Sequence, residues 1–141
     1  MGIKTIKIML DEGAYVPERA HELDAGYDLR TPRPVLVRAH DSASVDTGVH
    51  VEIPPGYVGF LMSKSGLNMK HGLTGTGTID AGYTGSICAT IHNHSDTPYL
   101  FAGGDKIIQL VLLPIITPDL EFVDGLEETE RGSKGFGSTG Y

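Results

Sequence analysis

Apolar residues alternate with polar or small residues along most of this chain, and this two-residue period constrains the fold more than any other feature. Ile6 and Ile8 show it near the amino terminus, and residues 49–53 (VHVEI) and 87–91 (ICATI) show it further along. Such a period places apolar side chains on one face of a β-strand. Turn-forming clusters such as 54–56 (PPG) separate the runs. The pattern therefore predicts an all-β domain, a sandwich or barrel of short antiparallel strands.

Length and glycine content agree with one such domain. A chain of 141 residues and 15.1 kDa fits a single core, and its 19 glycines are about twice the usual share, which favours tight turns over long helices. We expect one short helix over residues 65–70 (SGLNMK), with Ser65 as the N-cap and Gly72 at its end. The predicted organisation is a β domain over residues 1–126 and a flexible tail over residues 127–141.

Charge and cysteine content exclude several classes of partner. A formal net charge of −7 and a pI near 5.2 argue against direct nucleic-acid binding, which depends on a basic face. The single cysteine, Cys88, excludes an internal disulfide. The longest apolar run, 107–116, is interrupted and too short to cross a bilayer. We therefore expect a cytoplasmic protein without a membrane or nucleic-acid partner.

The glycine-rich tail permits two interpretations. It is either a frayed terminus or a mobile flap whose glycine N–H groups, together with Arg131 and Lys134, bind phosphate while Phe136 stacks on a base. Residues 135–140 (GFGSTG) match the dinucleotide-binding fingerprint, but that fingerprint needs a preceding strand and a following helix. The match is therefore not evidence for a Rossmann domain.

Five segments in order resemble the motif set of the trimeric deoxyuridine triphosphatase (dUTPase) family. They are 25–29 (AGYDL), 63–66 (SKSG), 77–85 (GTIDAGYTG), 104–110 (GDKIIQL) and 131–140 (RGSKGFGSTG). The resemblance implies a jelly-roll β fold and a homotrimer with active sites between subunits. It also implies a dUTP diphosphatase that converts dUTP to dUMP and pyrophosphate, which limits uracil incorporation into DNA and supplies dUMP for thymidylate synthesis.

The third segment carries the residues to which the resemblance assigns the reaction. Asp80 would deprotonate the water that attacks the α-phosphorus, although an aspartate in a turn is also a common local backbone acceptor. Tyr83 would lie under the deoxyribose and leave no space for a 2′-hydroxyl, although it could equally be an aromatic residue that packs on the sheet.

The same hairpin would recognise uracil through its backbone groups. The resemblance places these groups near Thr74, Thr78, Ile79 and Cys88. Many relatives carry Asn where this chain has Thr74. Apart from such a backbone contact, the small Cys88 side chain is expected to pack rather than to act as a nucleophile. His92 and His94 are expected at the surface, because no cysteine or carboxylate partner for a metal lies near them in the sequence.

The remaining segments would bind the phosphates and the base. Lys64 stands where the family usually has Arg, and it supplies charge without the bidentate fork. Gln109 interrupts an apolar run and so needs a polar partner. The full set of residues that the resemblance assigns to substrate through these segments is Lys64, Ser65, Gly66, Gln109, Arg131, Phe136, Gly137, Ser138 and Thr139.

A triphosphate adds negative charge to an acidic protein, so we expect Mg²⁺, bound mainly through the substrate phosphates. Asp28, in the first segment, either holds that ion through water or caps a turn.

Two other functions stay open. One is a dCTP deaminase of the same fold, which needs a glutamate where this chain has Thr90. The other is a regulatory trimer that senses the nucleotide and controls a protein partner.

Overall fold

The computed structural model describes residues 2–137, and within that range the chain forms eleven strands and one helix. The strands are β1 (Lys7–Leu10), β2 (Gly26–Arg30), β3 (Val35–Val37), β4 (Ser42–Asp46), β5 (Val49–Glu52), β6 (Tyr57–Met62), β7 (Leu73–Thr74), β8 (Thr76–Ile79), β9 (Cys88–Asn93), β10 (Tyr99–Phe101) and β11 (Lys106–Pro114), and the helix is α1 (Ser65–His71). The paired strands are antiparallel. The predicted all-β class of short strands is confirmed.

The strands form four small sheets around one core. The largest sheet has the order β2-β11-β6-β8, and a second has the order β4-β9-β7; β1 pairs with β5 and β10 pairs with β3. The alternating pattern decides which side chains enter the core, since β9 buries Ala89, Ile91 and Asn93 and turns the residues between them outward. The buried Asn93 amide donates to the carbonyls of Val37 (3.1 Å) and Thr97 (2.8 Å), so its burial leaves no polar group unpaired.

The short helix begins one residue earlier than predicted. Lys64 is the N-cap and makes no side-chain capping bond, whereas Ser65 is the first helical residue. The prediction of Ser65 as N-cap was therefore wrong, because Lys64 still has the extended backbone of the preceding strand. Gly72 ends the helix in the left-handed region with φ 66°, as predicted for a residue without a Cβ.

The chain after β11 contains no strand or helix up to residue 137. Its large apolar side chains are nevertheless highly exposed: Ile116 is 87% exposed, Leu120 85%, Phe122 95% and Leu126 89%. The last strand ends at Pro114. The predicted boundary between the β domain and the tail, at residue 126, stays a prediction. No helix within residues 2–137 is long and apolar enough to cross a membrane.

Candidate active site

A row of residues across the largest sheet brings three of the five segments together. Gln109 on β11 lies opposite Asp28 on β2 and opposite Met62 on β6. Met62 leads directly into Ser63 and Lys64, so the first, second and fourth segments meet at one edge. The hydrogen-bond register of antiparallel strands therefore assembles side chains that are far apart in sequence.

The centre of this edge is an ion-paired cluster. Asp28 is 4% exposed, and its Oδ1 pairs with the Lys64 ammonium while its Oδ2 lies 3.0 Å from the Lys106 ammonium. Burial by itself would raise the pKa of Asp28, but the hydrogen bonds and charges of the two lysines outweigh it, so the pKa lies below its ordinary value. The cluster carries a net charge of about +1 and presents two partly exposed ammonium groups.

Lys106 belongs to this cluster although the sequence pattern did not indicate a role for it. The register between β11 and β2 shifts between Lys106 and Ile108, which marks a bulge. A bulge changes the direction in which a side chain points. The fourth segment contains Lys106, but no sequence signal shows that a bulge turns it toward Asp28.

Gln109 connects the segments through its amide group. Its Nε2 donates to the Ser63 carbonyl at 3.1 Å, which provides the polar partner that a glutamine in an apolar run needs. A Cβ at Gly26 would lie 2.0 Å from the Gln109 Oε1, so the glycine leaves the space that the amide occupies. The Ser63 hydroxyl in turn donates to the Gly75 carbonyl (3.1 Å) and accepts from the Gly75 N–H (2.9 Å), which ties the second segment to the chain just before the third.

The loop of residues 80–87 leads from β8 to β9 and closes the hairpin whose paired strands are β7 and β9; it presents Asp80 and Tyr83 to solvent. The Tyr83 N–H donates to the Asp80 carbonyl at 3.1 Å, and the Tyr83 hydroxyl donates to the Ser86 carbonyl at 2.8 Å. The Asp80 carboxylate accepts no hydrogen bond from residues 2–137, so it is not a local backbone acceptor there. Tyr83 is 46% exposed, so its ring is free to meet a ligand rather than packed in the core.

The predicted uracil-binding residues on the strands beside this loop differ in their exposure to solvent. Thr78 is exposed, whereas Ile79 is 7% exposed, so only the backbone of Ile79 can meet a ligand. Thr74 is half-buried, and its hydroxyl lies 2.7 Å from Nε2 of His94. The two histidines, His92 and His94, are exposed as predicted, but the contact between His94 and Thr74 has no signal in the sequence.

Cys88 lies at the start of β9, opposite Asp46. It is exposed, so the prediction that it packs was wrong. Partial burial and the negative charge of Asp46 raise the pKa of its thiol. A raised pKa keeps the thiol protonated, which agrees with the prediction that it is not a nucleophile.

Ser65 and Gly66 are exposed at the start of α1, beside Lys64. The fifth segment forms a tight turn, in which the Arg131 Nε donates to the Lys134 carbonyl at 2.6 Å. Phe136 is fully exposed with φ 46°, followed by Gly137 with φ 99°. The predicted residues Ser138 and Thr139 lie outside the described residues.

The ion-paired cluster and Asp80 lie at different ends of the sheet. Thr76 on β8 lies beside Met62, but Ile79 lies beside Gly59, so β8 leads away from the cluster. At roughly 3.3 Å per residue, Asp80 is about 13 Å along the strand from this row, and Asp28 is three strands across. The two groups are therefore on the order of 20 Å apart within one chain.

Comparison with known proteins gives a consistent result. A family model described as dUTPase matches residues 12–140. The deoxyuridine 5'-triphosphate nucleotidohydrolase of Oryza sativa subsp. japonica is 42% identical over 132 residues, which cover 93% of this chain and 77% of the rice protein. The dUTPase of Staphylococcus bacteriophage 80alpha, solved with dUPNHPP, superposes with a TM-score of 0.92 at 37% identity and covers 99% of this chain and 100% of that one.

A second solved structure concerns a metal. It is a variant of the dUTPase from phage phi11 of S. aureus, described as revealing the coordination of a structural Mg(II) ion; its TM-score is 0.81 at 36% identity, over 88% of this chain and 99% of that one. These structural likenesses confirm the predicted jelly-roll-like fold.

Replacing Asp28 by Asn should destabilise the protein in a pH-dependent way. The pKa of Asp28 in the folded chain lies below the ordinary value of about 3.9, so its ion pairs contribute stability above that value and lose it as the pH falls through the folded-state pKa. We expect Asp28→Asn to lower the free energy of unfolding by about 1–3 kcal/mol at pH 7 and by less toward pH 2. Urea denaturation at one protein concentration, between pH 2 and 7, measures both effects.

The matched control is Glu52→Gln, which removes the exposed pair between Lys7 and Glu52 at 3.8 Å and should change stability by less than about 0.5 kcal/mol. If the free energy of unfolding of the wild type and of Asp28→Asn had the same pH dependence, the stabilising role of the Asp28 ion pairs would be contradicted.

Proposed function

Because this chain belongs to the dUTPase family, it hydrolyses dUTP to dUMP and pyrophosphate, and we propose that Asp80 activates the attacking water. The family match over residues 12–140 carries this conclusion, since it includes all five segments. The same reaction lowers the dUTP available for incorporation into DNA and supplies dUMP. The roles of the individual residues are proposals that the geometry supports.

Asp80 is suited to act as the general base. A carboxylate that has no hydrogen-bond donor within residues 2–137 keeps its oxygens available for a water molecule. Removal of a proton from water during attack on phosphorus is a contribution of about 10²–10⁴-fold to the rate. The hydrogen bond between the Tyr83 N–H and the Asp80 carbonyl keeps the base and the ring in one turn.

Tyr83 is suited to select a deoxyribose. Its hydroxyl is held by the Ser86 carbonyl, so the ring has a defined position at the surface of the hairpin. A ring fixed against the sugar leaves no room for a 2′-hydroxyl. Backbone groups of Thr78, Ile79 and Cys88 would pair with the uracil edge, where a mismatched base leaves a group unpaired at a cost of about 1–3 kcal/mol. Thr74 would contribute through its backbone, since His94 binds its hydroxyl.

The ion-paired edge is suited to bind the triphosphate. Lys64 and Lys106 supply charge, the start of α1 supplies the backbone of Ser65 and Gly66, and Gln109 orients the Ser63 carbonyl beside them. Asp28 limits how far the two ammonium groups can move. The edge is thus preorganised for phosphate oxygens in a protein whose net charge is otherwise −7.

Mg²⁺ fits this site as a partner of the phosphates rather than of the protein alone. No group of three or more His, Cys, Asp or Glu residues within the described part of the chain could hold a metal ion. Asp28 binds lysine through both oxygens, but a carboxylate has further lone pairs that can accept a hydrogen bond from a metal-bound water. When bound, Mg²⁺ would offset the charge of the triphosphate.

We further propose that each active site combines parts of different subunits of a homotrimer. The separation of Asp80 from the Asp28 cluster, on the order of 20 Å, supports this arrangement, because no triphosphate could reach both groups of one chain. The exposed apolar residues after β11 support an assembly as well, since large apolar patches mark interaction surfaces.

The tail is proposed to close over the bound nucleotide. Arg131 would bind a terminal phosphate, and Phe136 would stack on uracil beside the backbone of Gly137, with Ser138 and Thr139 as further donors. Full exposure of Phe136 supports this role, because its ring is not used in the core of the subunit.

The alternative functions are not favoured. Thr90 stands where a deaminase needs a carboxylate, and its hydroxyl lies 3.2 Å from that of Ser44. Phage 80alpha dUTPases are described as controlling the transfer of virulence genes, which is a statement about those proteins. A regulatory protein partner and a cytoplasmic location of this chain stay predictions.

Replacing Asp80 by Asn should abolish most of the activity without unfolding the protein. We expect wild-type protein with Mg²⁺ to consume only dUTP from an equimolar mixture of dUTP, dCTP, dTTP and UTP, with dUMP and pyrophosphate as products. Asp80→Asn should retain nucleotide binding and lower kcat by at least about 100-fold, because it removes the base. Anion-exchange chromatography of the products measures both results.

Asp96→Asn is the matched control, since the exposed Asp96 carboxylate pairs with the exposed His40 among the described residues. Consumption of dCTP would restore the deaminase interpretation. Near-normal turnover by Asp80→Asn would exclude Asp80 as the base.

Removing residues 131–141 should leave a folded assembly with poor activity. The deletion removes one charged phosphate contact and one stacking contact, which together correspond to about a 100-fold loss in kcat/KM for dUTP. Steady-state kinetics measures the loss, and circular dichroism with sedimentation measures fold and assembly. Loss of folding would give the tail a structural role, and unchanged kinetics would exclude the flap.

A further inference from the structure

Residues 46–50, from the end of β4 into β5, hold the second half of the hairpin that carries Asp80. Thr47 is fully buried, and both its N–H (3.0 Å) and its hydroxyl (2.7 Å) donate to the Ile87 carbonyl. Asp46 accepts a hydrogen bond from the Ser86 hydroxyl. The hairpin is therefore fixed to this segment at Ser86 and Ile87, next to the turn that contains the proposed base.

His50 adds a third contact of a different kind. Its Nδ1 lies 2.8 Å from the Thr84 carbonyl oxygen, and its Nε2 lies 3.0 Å from the Asp11 Oδ1. Thr84 follows Tyr83 directly, whereas Asp11 belongs to the turn after β1. The imidazole ring thus bridges the hairpin and a separate part of the domain.

Both partners of the ring are acceptors. A carbonyl oxygen and a carboxylate oxygen have no hydrogen to donate, so each contact is a hydrogen bond only if the facing nitrogen carries a proton. A neutral imidazole has one N–H, and only the imidazolium has two. Both contacts can therefore be hydrogen bonds at the same time only when His50 is protonated.

We propose that His50 is a positioning residue of the dUTPase reaction, whose imidazolium joins Asp11 to Thr84 and thereby holds the hairpin. The bridge opens when the ring loses a proton, because a lone pair then faces either the carbonyl or the carboxylate. This inference rests on the proposed roles of Asp80 and Tyr83, which the same hairpin presents.

The surroundings of the ring favour its charged form. The charged groups that face it are Asp11, from the turn after β1, and Asp46, at the end of β4; the hairpin contributes the Thr84 carbonyl. The hydrogen bond to that carbonyl, followed by the contact with Asp11, raises the pKa of His50 above its ordinary value of about 6.5. The bridge is thus complete below the ordinary value and is lost as the pH rises through the raised pKa.

Two variants separate the contacts of the ring. In His50→Asn the amide nitrogen stands near the position of Nδ1, so it can donate to Thr84 at every pH. In His50→Gln the amide nitrogen stands near Nε2 and favours Asp11. Between pH 6 and 9, we expect the kcat of the wild type for dUTP to fall about threefold to tenfold more than the kcat of His50→Asn. The kcat of His50→Gln should be reduced by a similar factor at every pH in this range.

His40→Asn is the control for these variants, because His40 pairs with Asp96 at 2.6 Å on an exposed surface and has φ 57°, which Asn tolerates. Its pH profile should match that of the wild type. Superimposable profiles of the wild type and His50→Asn would overturn the proposal, as would equal losses in His50→Asn and His50→Gln at all pH values.

An NMR titration of the wild-type protein tests the bridge without any variant. We expect the His50 ring signal to titrate above pH 6.5 and the Tyr83, Thr84 and Gly85 amide signals to shift with the same midpoint. A His50 midpoint at or below 6.5, or hairpin amides that do not follow it, would overturn the proposal. Because this measurement needs no substrate, failure of the bridge is distinguished from failure of dUTP hydrolysis.

Discussion

One buried carboxylate organises the sheet edge that we propose binds the substrate phosphates. The Asp28 carboxylate pairs with Lys64, which follows β6, and with Lys106, at the start of β11. The amide of Gln109 donates to the carbonyl of Ser63, next to Lys64. Each lysine alone would be a flexible surface cation, and rotamer entropy would oppose any single arrangement. Bound to a common counter-charge in a defined strand register, the two ammonium groups form a preorganised site for an anion.

The same sheet also carries the proposal that one chain does not complete an active site. β8 starts beside the cluster and ends beside Gly59, so it carries Asp80 away from Lys64. The proposed general base and the lysines proposed to bind phosphate are too far apart within one chain for one triphosphate. Under the proposed residue roles, activity therefore requires assembly of subunits, and the exposed apolar residues after Pro114 offer a surface for it.

Much of this fold could be predicted from the sequence, because alternation and turn residues determine which side chains are buried. The five segments also indicated Asp80, Tyr83, Lys64 and Gln109 as candidate site residues by residue type and order. What could not be predicted depends on tertiary register. Three contacts join residues that lie 20 to 78 positions apart in the sequence. They are the ion pair of Lys106, at the bulge, with Asp28, the contact of His94 with Thr74, and the bridge made by His50. No local pattern encodes such pairs.

Complementation between two inactive variants tests the central claim most directly. Asp80→Asn and Lys64→Ala are each expected to be nearly inactive, because each removes one half of the site. If the halves come from different subunits, refolding the two variants together in equal amounts restores intact sites, and random mixing predicts about one quarter of wild-type activity. Activity no higher than the mean of the two separate variants would contradict a shared site and place all the catalytic groups within one chain.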